Sequence, residues 1–376
     1  VTHRIGIIGF GGFGRFLAKA WSGVEGVRLT AIADVNPDAR QEGIAQFADW
    51  RRLLDSGEVD VVSVVTPPAT HPEIAAEALR RGVHVLVEKP IAVSVADAQQ
   101  VLTADRDSSA TATVDFMLRY NPIIECVHGW CREKTFGALQ RVVVENYAQD
   151  ESLTADHWFW NPDISGGILI EHAVHFIDVV NGCTSSPVDR VDGRSWRRVD
   201  GRVDRMALEA RYDDGLVAAQ YHAFNRLEPF ERTSLRFVFD GAQIDVEGWI
   251  PMKGRVIALL GQDNENTLEQ LPGLSIERDR PLQGSRNVPL ANGEGQGQVR
   301  RMVEASFEIP GSKEEAYLDA LRKLMSDFLQ ATGPDPKPIR VTLADGLKSL
   351  EIACAATAAG LLVANSTESA NPESGT

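Results

Sequence analysis

Basic side chains are scarce in this chain: 38 lysines and arginines stand against 53 aspartates and glutamates, for a formal net charge of −15. Such a balance builds no broad basic face, so nucleic acid and anionic membrane are not expected as partners, and a small neutral ligand fits better. Cysteine is nearly absent. The four present, Cys126, Cys131, Cys183 and Cys354, make neither a CxxC pair nor a regular framework, which suits reduced packing thiols in the cytosol. Long apolar runs are missing too, since none approaches the roughly 20 residues of a membrane span. The opening VTHRIGIIG enters an apolar strand at once, without room for a charged leader and a cleavage site, and a cytoplasmic location is expected. Residues 366–376 lack apolar periodicity and are expected to form a disordered tail.

What is present is length enough for two domains, expected at 1–120 and 121–365 of the 376 residues. In the first, strand-length apolar runs recur: RIGIIG (4–9), RLTAIAD (28–34), VDVVSVV (59–65), VHVLVE (83–88) and TATVDF (111–116). Their apolarity is continuous, as in a parallel sheet covered on both faces. Helical spacing fills 13–21, 72–81 and 94–105 between them. Strand and helix in alternation predict a doubly wound Rossmann domain.

After the first strand stands Gly9-Phe10-Gly11-Gly12-Phe13-Gly14, a G-x-G-x-x-G turn. Gly9 permits the sharp turn, Gly11 lets the backbone approach a pyrophosphate, and Gly14 lets helix and strand pack closely. The helix N-terminus beyond offers N–H groups and a positive dipole end to phosphate. A lone glycine turn means little. Here it follows a strand, opens a helix, and is followed 20 residues after Gly14 by Asp34, placed to hold the adenosine ribose hydroxyls. That points to NAD, with NADP disfavoured because Asp34 would repel a 2′-phosphate; Arg40 is the nearest candidate partner for one. Polar groups also stand at the later strand ends: Thr66-Pro67-Pro68, then Glu88-Lys89-Pro90, where open α/β sheets bind ligands.

With this turn, TPPATH (66–71), VHVLVEKP (83–90), MLRYNP (117–122), SGGILIEHAVHFID (165–178) and DGLKSLEIACAATAAG (345–360), the chain resembles the glucose-fructose oxidoreductase, inositol dehydrogenase and rhizopine-catabolism family, Gfo/Idh/MocA. The resemblance implies that Lys89 and His175 face the nicotinamide, with Glu171 at the position of an acidic partner that is usually Asp. It implies cofactor contacts from Gly9, Phe10, Gly11, Gly12, Phe13, Gly14, Asp34, Thr66, Pro67, His71, Glu88 and Lys89. Two stretches depart from the family pattern. Residues 36–50 are short for the second helix and its loop, and 262–312, rich in Gly, Asn, Glu and Pro, read as a long irregular excursion.

From residue 139 the pattern becomes alternating: LQRVVVENYA (139–148), VDRVDGRSWRRV (188–199), DRMALEARYDD (204–214), LVAAQYHAFNR (216–226), RTSLRFVFD (232–240) and AQIDVEGW (242–249). Alternation predicts an α+β domain with a large, mostly antiparallel open sheet, and Asp213 to Gly215 reads as a hairpin turn. The late helix 345–360 could pack back on the first domain. The resemblance implies that one sheet face meets another subunit, as a homodimer or homotetramer, with Tyr147, Trp196 and Trp249 among the candidates.

On an α-helix Glu171 and His175 lie one turn apart, so the carboxylate could accept the imidazole N–H and raise the basicity of the other nitrogen. This makes Lys89, His175 and Glu171 the catalytic candidates. Arg119, Tyr120, Trp158, Trp160, Asn161 and His172 join them as substrate contacts, the tryptophans as flat walls for sugar C–H surfaces. No metal is expected: H-E-x-x-H is absent, its inverted form would need histidine at Ile168, and nothing fixes the distance of His157. The reaction expected is hydride transfer between a sugar or cyclitol hydroxyl carbon and NAD. Two rivals stand: transient oxidation by tightly held NAD, as in an epimerase, glycosidase or eliminating enzyme, and a non-catalytic cofactor sensor.

Overall fold

The computed structural model describes residues 2–289, 296–333 and 335–368. They fall into two compact units. The first comprises Val1–Tyr120, His157–Asp178 and Tyr317–Cys354; the second comprises Asn121–Asp156, Val179–Ala316 and Ala355–Thr376.

In the first unit, β1 (His3–Ile8), β2 (Val27–Ala33), β3 (Ala45–Phe47), β4 (Val61–Val64), β5 (His84–Val87) and β6 (Ala112–Val114) form a parallel sheet in the order β3-β2-β1-β4-β5-β6. All four residues of β4 are buried, as expected for a strand covered on both faces. The connecting helices are α1 (Gly12–Trp21), α2 (Trp50–Asp55), α3 (His71–Arg80) and α4 (Val95–Arg106). Ser94 caps α4, its Oγ accepting the Asp97 N–H at 3.1 Å, which satisfies one of the helix's orphan donors. The strand order turns back between β1 and β4, so the crevice at their carboxyl ends is the topological switch point where such sheets take ligands. Residues 36–50 hold only the three-residue β3 before the short α2.

The second unit is a nine-stranded sheet: β7 (Leu139–Gln149), β8 (Val188–Arg197), β9 (Val203–Tyr212), β10 (Val217–Arg226), β11 (Arg232–Phe239), β12 (Ala242–Glu247), β13 (Lys253–Gly261), β14 (Ser275–Pro289) and β15 (Gln296–Glu308), in the order β14-β15-β13-β12-β11-β7-β10-β9-β8. Among the described residues of this sheet, only β7 and β10 pair in parallel. Gly215, with φ +90°, makes the β9–β10 hairpin.

The expectation of an irregular 262–312 is corrected: β14 and β15 extend the sheet there. Val303, Ala305 and Phe307 alternate into the core, a period that the flanking charges of Glu277, Arg278, Asp279 and Arg280 obscure. The last helix, Leu343–Glu368, continues past 366, where a tail was expected; residues 369–376 lie outside the described residues. Its first part belongs to the first unit and its end to the second. Within the first unit Gly346 fits against Ile91 and Val114, where an added Cβ would come within 2.8 Å of Val114. No helix among the described residues is long and apolar enough to cross a membrane.

Candidate active site

The glycine turn has the geometry that its spacing implies. Gly9 has φ +93°, and a Cβ there would lie 2.5 Å from the Val65 carbonyl oxygen. At Gly14 the clash would be with the Gly9 carbonyl oxygen, at 2.1 Å. Gly11 and Gly12 are different: a Cβ on either would meet nothing within 4 Å. Packing does not demand glycine there, whereas a pyrophosphate approaching the backbone at the start of α1 does. The residues therefore fit a dinucleotide. Phe10 is buried and Phe13 is partly exposed, stacked on Phe16 at 6.0 Å between centroids.

Beside the turn lies a cavity of about 410 Å³ lined by Gly9, Gly11, Asp34, Trp50, Thr66 and Pro67, among others. The Asp34 carboxylate sits at the end of β2, where Oδ2 accepts the Phe10 N–H at 2.6 Å and Oδ1 that of Asn36 at 2.8 Å. Each oxygen has a second lone pair to offer a hydroxyl. Trp50, Thr70 and Glu73 also line this cavity and were not anticipated; the position of Trp50, just past an atypically short connection, was the only signal.

His71 braces rather than lines. Its Nδ1 lies 2.7 Å from the Pro90 carbonyl oxygen and its Nε2 2.7 Å from that of Thr66, which ties together the loops after β4 and β5. At 1% exposed, His71 holds these two loops in place. Glu88, also expected at the cofactor, turns its carboxyl inward beside Asp115.

Lys89 precedes Pro90, to which it is joined by a cis peptide bond, in the loop after β5. Its Nζ donates to Glu171 Oε1 and to the Glu171 carbonyl oxygen, both at 2.7 Å. The α-helix expected at Glu171 is corrected: Leu169–Ala173 winds as a π-helix, entered through Gly166 and Gly167 at φ +80° and +89°. The Glu171 carboxylate takes the Lys89 ammonium, a stronger partner than a neutral imidazole N–H.

His175 begins the regular helix Val174–Asn181 from its second position and is 5% exposed. Its ring stands edge-on to Phe116 at 6.5 Å and to His172 at 6.4 Å. Burial first, then the charges of Lys89 and His172, hold His175 well below the ordinary imidazole range. It is therefore neutral at neutral pH, with a lone pair able to take a proton. Burial, with the Lys89 charge, lowers His172 as well.

Two expected substrate contacts are engaged inside the first unit instead. Arg119 grips Asp178 through Nε at 2.8 Å and Nη2 at 2.6 Å, and Nη2 also reaches Asp345 at 3.0 Å. Tyr120 donates its hydroxyl to Asp327 at 2.7 Å with the Arg340 guanidinium over its ring. A buried guanidinium needs such carboxylates, and MLRYNP carried no sign of them. Trp158 and Trp160 are half-buried; Asn161 is exposed and caps Pro162–Ser165, its Oδ1 accepting the Asp163 N–H at 3.0 Å.

Comparison with known proteins places the chain among oxidoreductases. Residues 3–116 match the Gfo/Idh/MocA oxidoreductase family profile described as an NAD-binding Rossmann fold, and 125–244 match a Gfo/Idh/MocA C-terminal domain. A levoglucosan dehydrogenase of Pseudarthrobacter phenanthrenivorans is 28% identical over 47% of this chain and 50% of its own length. An inositol 2-dehydrogenase of Rhizobium meliloti is 27% identical over 48% of this chain and 54% of its own. The chain thus spans about half the length of these relatives. In structure, the WlbA dehydrogenase from Bordetella pertussis, solved with NADH and UDP-GlcNAcA, aligns with TM-score 0.75 at 19% identity over 96% of both chains.

Proposed function

The chain belongs to the Gfo/Idh/MocA oxidoreductase family with an NAD-binding Rossmann domain, and from that premise we propose that it reversibly oxidises a hydroxyl-bearing carbon of a sugar or cyclitol. The observation that carries the reading is the Lys89 Nζ to Glu171 Oε1 contact of 2.7 Å, with the buried His175 four residues further on. When bound, NAD supplies the hydride acceptor. His175, held neutral, takes the hydroxyl proton on a ring nitrogen. Lys89 donates a hydrogen bond to the same oxygen and stabilises the charge that develops on it. Glu171 positions the lysine through their ion pair. Gly9, Gly11, Gly14 and Asp34 hold the dinucleotide, and Trp158 and Trp160 wall the sugar. The reading includes a homodimer or homotetramer.

The test is incubation of the protein with NAD and a panel of cyclitols and aldoses while the absorbance of reduced cofactor is recorded. Reduction with one member supports the proposal. NAD retained through purification, with no net reduction on any member, would favour transient oxidation instead.

A further inference from the structure

Glu88 and Asp115 are two carboxylic acids side by side in the interior of the first unit. Val87 and Val114 are partners in the parallel β5–β6 register, so the residues that follow them are neighbours. Both peptides are pinned: the Glu88 N–H donates to the Val64 carbonyl and the Asp115 N–H to that of Val87, each at 2.9 Å. The residues are 5% and 1% exposed. Among the described residues no side-chain or backbone donor completes hydrogen-bond geometry at Glu88 Oε1 or at either Asp115 carboxylate oxygen, although the Met117 N–H lies near enough to Asp115 to lower its pKa. Two ionised carboxylates this deeply buried repel each other, and the nearby Lys89 ammonium is already paired with Glu171. One proton held between them removes the repulsion and supplies the missing donor.

We propose that Glu88 and Asp115 share one proton, and that this acid pair is a positioning device for Lys89, the next residue in the chain. The inference rests on the dehydrogenase reading of Lys89. The proton fixes the ends of β5 and β6 against each other, and so fixes the backbone from which the Lys89 side chain departs. It also leaves one negative charge beside the ammonium instead of two. Burial, then the Asp115 charge, raises Glu88 well above the usual carboxylic range, and burial raises Asp115. Both shifts point the same way, so the proton belongs to the pair. The other charged or titratable groups facing the pair are Lys89 and the Tyr317 phenol, from the helix Lys313–Ala331; Lys89 in turn faces Glu171.

Glu88→Gln separates this role from packing, because its amide donates where the acid O–H does and cannot ionise. In the wild type, rising pH removes the shared proton, sets two like charges side by side, and lowers kcat. Glu88→Gln should keep neutral-pH kcat within about threefold and lose that part of the alkaline limb, whereas Glu88→Ala should drop kcat about tenfold or more with NAD affinity unchanged. A second readout needs no substrate. A folded-state pKa above the unfolded one contributes stability at low pH that is lost as pH rises through the folded value, so Tm should fall with pH on the alkaline side in the wild type and less steeply in Glu88→Gln. Identical alkaline limbs and identical Tm profiles in wild type and Glu88→Gln, in an enzyme that oxidises sugar, overturn the acid pair and leave the dehydrogenase reading intact. Absence of oxidation on every sugar, with the Tm difference present, supports the shared proton and sinks the dehydrogenase reading.

Discussion

At the scale of single residues the proposed chemistry divides between groups that would touch substrate and groups that place them. Lys89 and His175 are assigned to the first class and hold no phosphate, so Lys89→Ala and His175→Ala should each lower kcat about 10²-fold or more while NAD affinity changes little. Steady-state rates beside NAD titrations check this, and a His175→Ala enzyme at wild-type rate would remove the base. Glu171→Gln keeps the shape but loses the ion pair to Lys89, so its effect should be smaller. Cofactor choice is also a residue-scale matter. Asp34 presents a carboxylate where a 2′-phosphate would lie, and Arg40 donates its Nε to the Pro37 carbonyl at 2.6 Å. Catalytic efficiency with NADP should therefore fall at least about tenfold below that with NAD; equal efficiency would refute the role given to Asp34.

At the scale of elements, legibility tracked how local each signal was. The glycine turn, the Rossmann strands and the Asp213–Gly215 hairpin were readable because each is fixed by a few adjacent residues. The π-helix at Leu169–Ala173 was not, since its residues suit an α-helix equally well. Strands β14 and β15 were hidden by their charges and by the Gly-rich stretch between them. Arg119 shows the same limit: nothing near it in sequence announces Asp178 or Asp345. That network joins the stretch after β6 to two later helices, and breaking it leaves a charge buried without its partner. Asp178→Asn should cost about 3 kcal/mol of unfolding free energy. Asp345→Asn should cost less, because the Asp345 side chain is 27% exposed against 0% for Asp178. Urea denaturation ranks the two, and the reverse order would show that Asp345 is the principal partner of Arg119.

At the scale of the whole molecule, pH and association set the conditions under which the site exists. His172 and His175 are held below the ordinary imidazole range chiefly by burial, so the unfolded chain binds protons at about pH 6.5 that the folded chain refuses. Their contribution to stability is present above that pH and is lost as pH falls toward the folded values. Tm should decline between about pH 7 and 5, less steeply in His172→Gln; equal slopes would mean that other groups govern acid sensitivity. Association concerns the nine-stranded sheet. Ser195, Met206, Leu208, Ala218, Val142 and Val144 occupy its covered face, with the Ser195 hydroxyl donating to the Gly360 carbonyl at 3.1 Å. Strand periodicity sends the alternate residues to the other face. There Val143, Tyr147, Trp196, Ala207, Ala219 and Tyr221 are half-buried and Ile257 is 47% exposed, and Tyr221 lies 5.5 Å from Tyr147 and 5.9 Å from Trp196. Arg194, Glu209, Glu145 and Arg236 stand among them on the same face, so the surface mixes apolar side chains with charges of both signs, a composition that a second copy can cover self-complementarily across a two-fold axis. Light scattering at micromolar concentration should give a dimer or tetramer, and Tyr221→Asp should shift it toward monomer by placing an unpaired charge in the interface. A wild-type monomer would refute the assembly, and an oligomer indifferent to Tyr221→Asp would move the interface to another surface.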